Sequence, residues 1–407
     1  MPAFPRLPRL LAHRIAGEHP SRPPWRHPVA IASAALALTL ATVPLLPNGD
    51  GDDDQEAIAS SADSTPAPGA AHGRGEVTPQ MQAEIDRVIA KGEGLDRVHG
   101  RRSITAASVR CATFDGQRYC LGFGWTNQSR EALAARMATR RTPGRERTGD
   151  LDADGVLARG TRRSERERKD AERAELTMAA QSVGKVWMLR HEIQGVELPA
   201  DFARRHLEVS DISARAGGAY PTRAKILTSK VARAQNQTWW CGPAAMQAIG
   251  WSSEGERKNQ SYWARRLGTT SAGTAITDMV RVVNNKTDYD DGSHAGPYIV
   301  LDVSDFTFTQ WYRLMMRHIH DYRAPVVLHP VLLTQYYPYL DDDASGHFQV
   351  GRGFDQDPGG NRKIGYFEPW DQSRFDPSEP AIGRVQWRNA YKSYRANLDH
   401  FQHNVGV

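Results

Sequence analysis

The sequence predicts an α+β fold in which helices pack on an antiparallel sheet. The chain has 407 residues, is 40% hydrophobic and 24% charged, and is long enough to bury a core. A run of helix formers follows Cys241 and Gly242, beginning with Pro243, and proline suits the first turn of a helix. Three short apolar segments bounded by turn residues are typical of strands, namely PVVLHPVLL, HFQVGRGF and KIGYFEP.

The first 47 residues have the features of an export signal. Residues 1–28 carry five Arg against one Glu, and residues 29–46, VAIASAALALTLATVPLL, carry no charge. A basic region before an apolar stretch is typical of a secretory signal peptide or an uncleaved signal-anchor. The stretch is short for a spanning helix and contains Pro44. Both fates stay open, so we expect a secreted or cell-surface protein with a possible single membrane-anchor helix at its N-terminus.

The positive charge of the chain does not predict a nucleic-acid partner. The net charge is +5 and the pI about 9.1, but most of the excess lies before the apolar stretch. Residues 231–407 carry 18 Lys and Arg against 19 Asp and Glu. In the Arg-rich segment TRRSERERKDAERAELTMAA, acidic residues alternate with basic ones and no aromatic residue is present for base stacking. This pattern predicts solvated helical faces.

Two regions precede the predicted C-terminal domain. Residues 48–78 nearly lack large apolar side chains, which predicts a disordered linker. Residues 79–224 form an N-terminal region that begins with a short amphipathic helix in MQAEIDRVIAKGEG and continues through a hairpin into the charged helices. A pro-segment, a partner-binding domain and a spacer are all open roles for this region.

The hairpin of the N-terminal region predicts a disulfide. Two β-prone runs flank Asp115 and Gly116, a dipeptide that favours a tight turn. Cys111 and Cys120 fall in the two arms, and in an exported chain such a pair is most simply bonded. Only Cys241 is then left as a free thiol.

Cys241 is placed at the start of a predicted helix, where free backbone N–H groups and the helix dipole favour a thiolate. A nucleophilic thiolate also needs a base, a group that orients the base, and donors for an oxyanion. Gln235, six residues earlier, offers an amide donor. His347 at the start of a predicted strand offers a base, and Glu368 ends the next strand.

The segments QNQTWWCGPAA, GHFQVGRGF and YFEPW resemble the papain-like cysteine peptidases, in the branch of the double-glycine leader peptidases and their secreted relatives. The resemblance covers roughly residues 225–375 and implies a papain-like peptidase domain over residues 225–407, without a cofactor or metal. It implies that Cys241 is the nucleophile, His347 the general base and acid, and Gln235 the oxyanion donor. Glu368 stands where the family usually has Asp, so either Glu368 or Asp371 orients His347.

The function expected from these residues is hydrolysis of a peptide or protein substrate through a thioester. Two alternatives stay open: a transglutaminase-like acyltransferase or amidase, and an inactive papain-fold binding or assembly module at the cell surface. Three other histidines, His318, His320 and His329, have simpler structural explanations.

The remaining elements of the predicted domain are helical. Apolar spacing predicts helices near Gln260–Leu267, Ile276–Asn284 and Phe308–Ile319 between the Cys241 helix and the strands. A last amphipathic helix that caps the core is predicted from the spacing of five apolar residues, Trp387, Tyr391, Tyr394, Leu398 and Phe401.

Overall fold

Helices and strands combine into an α+β fold, as the sequence predicts. The computed structural model describes residues 73–139, 147–210, 219–253, 257–378 and 381–407, which all belong to one unit of the chain. The predicted signal or anchor segment, residues 1–47, and the linker up to residue 72 lie outside the described residues. Within these described ranges, no helix has both the length and the apolar character needed to cross a membrane.

The helices are numbered in chain order. Those of the N-terminal region are α1 Pro79–Ala90, α2 Arg101–Ser108, α3 Arg130–Ala138, α4 Ala153–Arg162, α5 Glu165–Gln181, α6 Val183–Gln194 and α7 Phe202–Arg205. Those of the C-terminal region are α8 Cys241–Ser252, α9 Gln260–Leu267, α10 Ile276–Lys286, α11 Phe308–Met316, α12 Gln372–Phe375 and α13 Ala390–Asp399.

The strands form a ten-stranded sheet within the described residues. They are β1 Cys111–Phe114, β2 Gln117–Cys120, β3 Gly124–Trp125, β4 Arg223–Lys225, β5 Val300–Asp302, β6 Val326–Leu328, β7 Gln349–Asp355, β8 Lys363–Phe367, β9 Val385–Asn389 and β10 Asn404–Gly406. Their order is β1-β2-β3-β5-β10-β6-β7-β8-β9, with β4 paired to β7. The neighbouring strands are antiparallel except β3 and β5, where Trp125 lies opposite Leu301 in a parallel pair. Residues on both sides of position 225 therefore share the sheet.

The predicted hairpin is formed by β1 and β2. Asp115 and Gly116 at its turn have φ angles of 46° and 78°, the left-handed values that a tight two-residue hairpin turn requires. Cys111 lies opposite Cys120 in the pairing, and a disulfide joins the two. The hairpin is thus closed at both ends.

The charged helices are less solvated than their sequence predicts. Lys185 of α6 is fully buried, and its Nζ donates to the carbonyl of Pro297 at 2.9 Å. Arg168 of α5 is also buried and donates to the carbonyl of Gly92 at 2.7 Å. The prediction of solvated faces holds for Arg166, Glu167 and Asp170 of α5, which are exposed, but not for Lys185 and Arg168, which donate to backbone carbonyls inside the protein.

The last predicted helix begins later than expected. Trp387 belongs to β9, where it lies opposite Gly365 of β8. A Cβ atom at Gly353 would lie 2.7 Å from the Trp387 indole, so glycine leaves the space that the ring fills. Helix α13 begins only after Asn389, whose side chain accepts a hydrogen bond from the N–H of Lys392.

Candidate active site

Cys241, His347 and Glu368 lie in one buried part of the C-terminal region. Cys241 is the first residue of α8, His347 lies two residues before β7, and Glu368 directly follows β8. Since β7 and β8 are antiparallel, with Val350 opposite Phe367, His347 and Glu368 lie at the same end of this strand pair. Each of the three is at most 1% exposed.

Glu368 holds His347 through a direct hydrogen bond, with 2.7 Å between His347 Nε2 and Glu368 Oε1. The same oxygen accepts from the N–H of Trp370 at 2.9 Å, and Oε2 accepts from Tyr339 at 2.8 Å and Gln349 at 2.7 Å. Burial alone raises the pKa of Glu368, but His347 and the other donors outweigh it and lower the pKa to about 2. The carboxylate is therefore ionised and fully used as an acceptor.

This contact fixes the tautomer of His347. Because an ionised carboxylate only accepts hydrogen bonds, Nε2 of His347 must carry the proton that it shares with Glu368. The other ring nitrogen, Nδ1, is buried and has no hydrogen-bond partner among the described residues. Its lone pair is available to take a proton from a neighbouring acid.

Asp371, the alternative acid for orienting His347, is engaged elsewhere. Its carboxylate accepts a hydrogen bond from Ser373 Oγ at 2.6 Å at the start of α12. Two of the rival histidines are engaged locally as well. His318 lies 3.1 Å from the carbonyl of Ala324, and His320 lies 2.8 Å from the carboxylate of its neighbour Asp321. Of Glu368 and Asp371, it is therefore Glu368 that accepts the hydrogen bond of His347.

The Cys241 thiol lies against the residue that follows His347. Its sulfur accepts hydrogen bonds from the backbone N–H groups of Phe348 and Gly242. Burial raises the pKa of the thiol well above its ordinary value, and the negative charge of Asp150 raises it further. The structure thus disfavours the thiolate that the helix N-terminus was expected to favour, because complete burial outweighs the two N–H donors.

Gln235, the predicted oxyanion donor, lies beside the same site with its amide already occupied. Its backbone N–H donates to the carbonyl of Pro369 at 2.8 Å, the residue after Glu368. Its side-chain Nε2 donates to three backbone carbonyls, those of Thr148 at 3.1 Å, Gln237 at 3.0 Å and Thr238 at 2.9 Å. The amide thus binds carbonyl oxygens, one of which comes from the N-terminal region.

A second cluster of a carboxylate and two histidines lies nearby, and the sequence analysis missed it. Asp150 Oδ1 is 2.9 Å from His329 Nε2, and Asp150 Oδ2 is 2.8 Å from His400 Nε2. Burial alone raises the pKa of Asp150, but the two imidazoles outweigh it and lower the pKa to about 2. The three residues are far apart in the chain and share no motif, so no local pattern points to them.

The distances in this cluster would suit a metal ion, since one ligand atom from each residue lies within 4.8 Å of the others. The ring nitrogens of His400 favour a carboxylate that accepts an imidazole N–H. His400 Nδ1 accepts the N–H of Gln402 at 3.2 Å, so its Nε2 carries the proton that faces Asp150. His329 Nδ1 lies 2.7 Å from the amide oxygen of Asn404 and donates to it, so Nε2 of the neutral ring carries no proton and makes no hydrogen bond to Asp150.

The site therefore offers a thiol, an oriented imidazole with a free nitrogen, and an amide that binds carbonyl oxygen. This set suits attack on a carbonyl carbon. Comparison of the chain with protein-family models, with curated proteins and with solved structures finds no match.

Proposed function

We propose that the protein is a papain-like cysteine peptidase that hydrolyses peptide bonds through a thioester intermediate. The observation that supports this most is the His347–Glu368 pair, which leaves Nδ1 of His347 free next to Phe348, whose N–H contacts the Cys241 sulfur. The α+β architecture, with Cys241 opening a helix and His347 just before strand β7, agrees with such a domain. The proposed location is outside the cell or at its surface.

The proposed reaction uses each residue in turn. Nδ1 of His347 takes the thiol proton while the Cys241 sulfur attacks the peptide carbonyl carbon. His347 then gives the proton to the departing amine, and the acyl group remains on sulfur as a thioester. Water attacks the thioester, His347 accepts its proton, and the acid leaves as the thiol is restored. Glu368 stabilises the imidazolium that forms in both steps.

The oxyanion donor is proposed to be the Gln235 amide. In this structure its Nε2 already holds the carbonyl oxygen of Thr148, which stands in the position proposed for a substrate carbonyl. A donor that binds a carbonyl in the closed form needs little rearrangement to bind an oxyanion, and removal of such a donor costs about 10²–10³ in kcat.

Substitution at Cys241 and His347 tests the proposal. We expect Cys241→Ala and His347→Gln each to reduce peptide hydrolysis by at least about 10³-fold. His320→Gln is a matched control, since His320 is exposed and its described contacts are with Asp321 and the ring of Tyr220 rather than with the candidate site. Peptide turnover that survives unchanged in Cys241→Ala would rule out the covalent mechanism.

A second candidate function is a binding or assembly module without turnover. Complete burial of Cys241 and His347 is the observation that favours it, because a substrate cannot reach a covered thiol. The two candidates differ once the site is opened. A peptidase then hydrolyses peptides, whereas a binding module only retains them.

A further inference from the structure

A short piece of the N-terminal region packs against the backbone at the start of α8. This covering segment, Thr148–Leu151, is buried, whereas Arg147 before it is exposed. The N–H of Thr148 donates to Ser345 Oγ at 3.0 Å, and its hydroxyl donates to the carbonyl of Gly346 at 2.6 Å. Both partners directly precede His347, so the segment begins on the strand side of the candidate site.

The covering segment then pairs with the loop beside α8 like an added strand. The N–H of Thr274 donates to the carbonyl of Gly149 at 2.9 Å, and the N–H of Leu151 donates to the carbonyl of Thr274 at 3.0 Å. A Cβ atom at Gly242 would lie 2.6 Å from Thr274 Oγ1, so this loop packs directly on the residue after Cys241. Backbone pairing of this kind accepts an extended peptide with little regard to its side chains.

Gly149 lies where the chain passes the nucleophile. Its φ is +119°, and a Cβ atom there would lie 2.6 Å from the carbonyl carbon of Trp239 and 2.9 Å from the backbone nitrogen of Cys241. Only glycine fits this position without strain. The preceding carbonyl, that of Thr148, is the one held by Gln235. The Thr148–Gly149 peptide therefore lies across the start of α8.

Asp150 anchors the segment in the pocket made by His329 and His400. The His329 ring is stacked on Phe348 with 4.6 Å between ring centroids, and Phe348 is the residue whose N–H contacts the Cys241 sulfur. Phe348 therefore contacts both the pocket around Asp150 and the Cys241 sulfur. The ionised carboxylate accepts a charge-assisted hydrogen bond from His400 Nε2 at 2.8 Å, which is stronger than the bond that a neutral side chain would accept.

We propose that the groove from Gln235 and Cys241 past Thr274 to the His329–His400 pocket binds an extended peptide that carries an aspartate, and that the covering segment occupies this groove and shields the thiol until it leaves. Calling this the substrate groove depends on the proposed peptidase function. The shielding itself depends only on the contacts of the segment. Of the three roles left open for the N-terminal region, the proposal favours the pro-segment, which covers the site.

Replacement of Gly149 tests the shielding. In Gly149→Ala the added methyl group has no space, so the segment must leave the groove, and we expect alkylation of Cys241 by iodoacetamide to be at least about tenfold faster than in the wild type. Gly195→Ala is the matched control. Gly195 has a similar positive φ of +74° but no atom within 4 Å of its added Cβ, and its alkylation rate should equal the wild-type rate. Cys241 is the only unbonded cysteine, so mass spectrometry reports this site alone.

If Gly149→Ala does not fold, a second variant tests the shielding in its place. Asp150→Asn retains the shape of the side chain but loses the charge that faces the two imidazoles, so Cys241 should again be alkylated faster. Because the charge of Asp150 also raises the pKa of the thiol, the two rates are compared after correction for the thiol pKa that the pH dependence of alkylation gives for each protein. Wild-type alkylation rates in folded Gly149→Ala, or in folded Asp150→Asn if the first variant does not fold, would overturn the proposal.

Peptides identify what the groove binds. The peptide RTGDLD, which has the sequence of residues 147–152, should protect Cys241 of the opened variant from iodoacetamide. The peptide RTGNLD, in which Asn replaces the aspartate that corresponds to Asp150, should protect at least about tenfold less well, because it lacks the charge-assisted contact with His400. Equal protection by both peptides would overturn the aspartate pocket. Fast alkylation without any peptide hydrolysis would instead overturn the peptidase function and leave the shielding intact.

Discussion

Glu368 reaches His347 at 2.7 Å, although the expected family resemblance suggested the shorter aspartate at this position. The extra length is accommodated by partners on every side of the carboxylate, which come from Tyr339, Gln349 and Trp370. Tyr339 and Gln349 bond to the oxygen that does not face His347. They therefore position the carboxylate without touching the imidazole.

Glu368→Gln should reduce the amount of folding stability that the protein loses when the pH falls from 7 to 3. The pKa of Glu368 is lowered from 4.5 to about 2, so its ionised form stabilises the folded state. That contribution, about 3 kcal/mol, is complete above about pH 5 and is lost as the pH falls from 4.5 toward 2. Urea unfolding at pH 7 and pH 3 should show a smaller difference in the variant than in the wild type.

The matched control for this prediction is Glu197→Gln, because Glu197 is exposed beyond the end of α6. The control should lose as much stability between pH 7 and pH 3 as the wild type. An equally steep loss in Glu368→Gln would contradict the assignment of Glu368 as a buried, ionised partner of His347.

At the residue scale, the sequence predicted the groups that lie within recognisable local patterns. Cys241 precedes a helix and His347 precedes a strand, and both patterns are visible in a few neighbouring residues. Asp150, His329 and His400 could not be predicted in this way, because only the folded chain brings them together. His329 was expected to be structural, and in the structure its Nε2 lies 2.9 Å from Asp150 Oδ1.

Among the elements, helix α8 depends on glycine for its packing. Gly250 faces the indole of Trp263 in α9, and a Cβ atom there would collide with the ring. The two helices can approach this closely because position 250 is a glycine and has no side chain. Since α8 begins with Cys241, its position also determines where the thiol lies.

Gly250→Ala should destabilise the protein by about 1–3 kcal/mol, because the new methyl group overpacks the contact with Trp263. Gly160→Ala in α4 is a matched control, since its added Cβ would meet only Leu95 at 3.8 Å. There the better helix propensity of alanine should add about 0.5–1 kcal/mol. Opposite signs in urea unfolding are expected, and stabilisation by Gly250→Ala would contradict the packing described.

The disulfide of the β1–β2 hairpin should contribute measurable stability. It closes a loop with a sequence separation of 9, for which the entropy of the unfolded chain predicts about 2–3 kcal/mol. The double variant Cys111→Ala, Cys120→Ala should lose about this amount in urea unfolding. A reductant should weaken the wild type similarly and leave the variant unchanged, whereas a wild type insensitive to reduction would count against this contribution.

At the element scale, the sequence predicted the helices α8 to α11 and the strands β6 to β8 because each has a clear apolar pattern. Strand β4, Arg223–Lys225, was not predicted, since its three residues carry little apolar character. It is a strand because its backbone pairs with Gly353–Asp355 at the end of β7. Tertiary pairing of this kind leaves no local pattern to detect.

For the whole molecule, the shared sheet joins the two predicted regions. Strand β3 pairs with β5 through Trp125 and Leu301, and a single hydrophobic cluster contains Ile85 of α1 together with Val327 of β6. Lys185 of the N-terminal region donates to Pro297 of the C-terminal region. The sequence could not predict this joint, because the change in composition near residue 225 resembles a domain boundary.

Residues 225–407 expressed alone should therefore not fold cooperatively. Strand β5 would lose its partner β3, and the hydrophobic cluster would lose the side chains that the N-terminal region contributes. Residues 73–407 should fold. Near-ultraviolet circular dichroism and urea unfolding of both chains test this expectation. A sharp unfolding transition in the shorter chain would show that the C-terminal region is an independent domain.

The place of β10 has a consequence for how the chain folds. This strand, Asn404–Gly406, lies in the middle of the sheet between β5 and β6, although the ribosome makes it after every other described strand. Closing the sheet must wait for contacts between residues about a hundred positions apart in sequence, which favours slow folding. Until then β5 and β6 each expose an unpaired edge, so newly made chains are open to chaperone binding or aggregation during that interval.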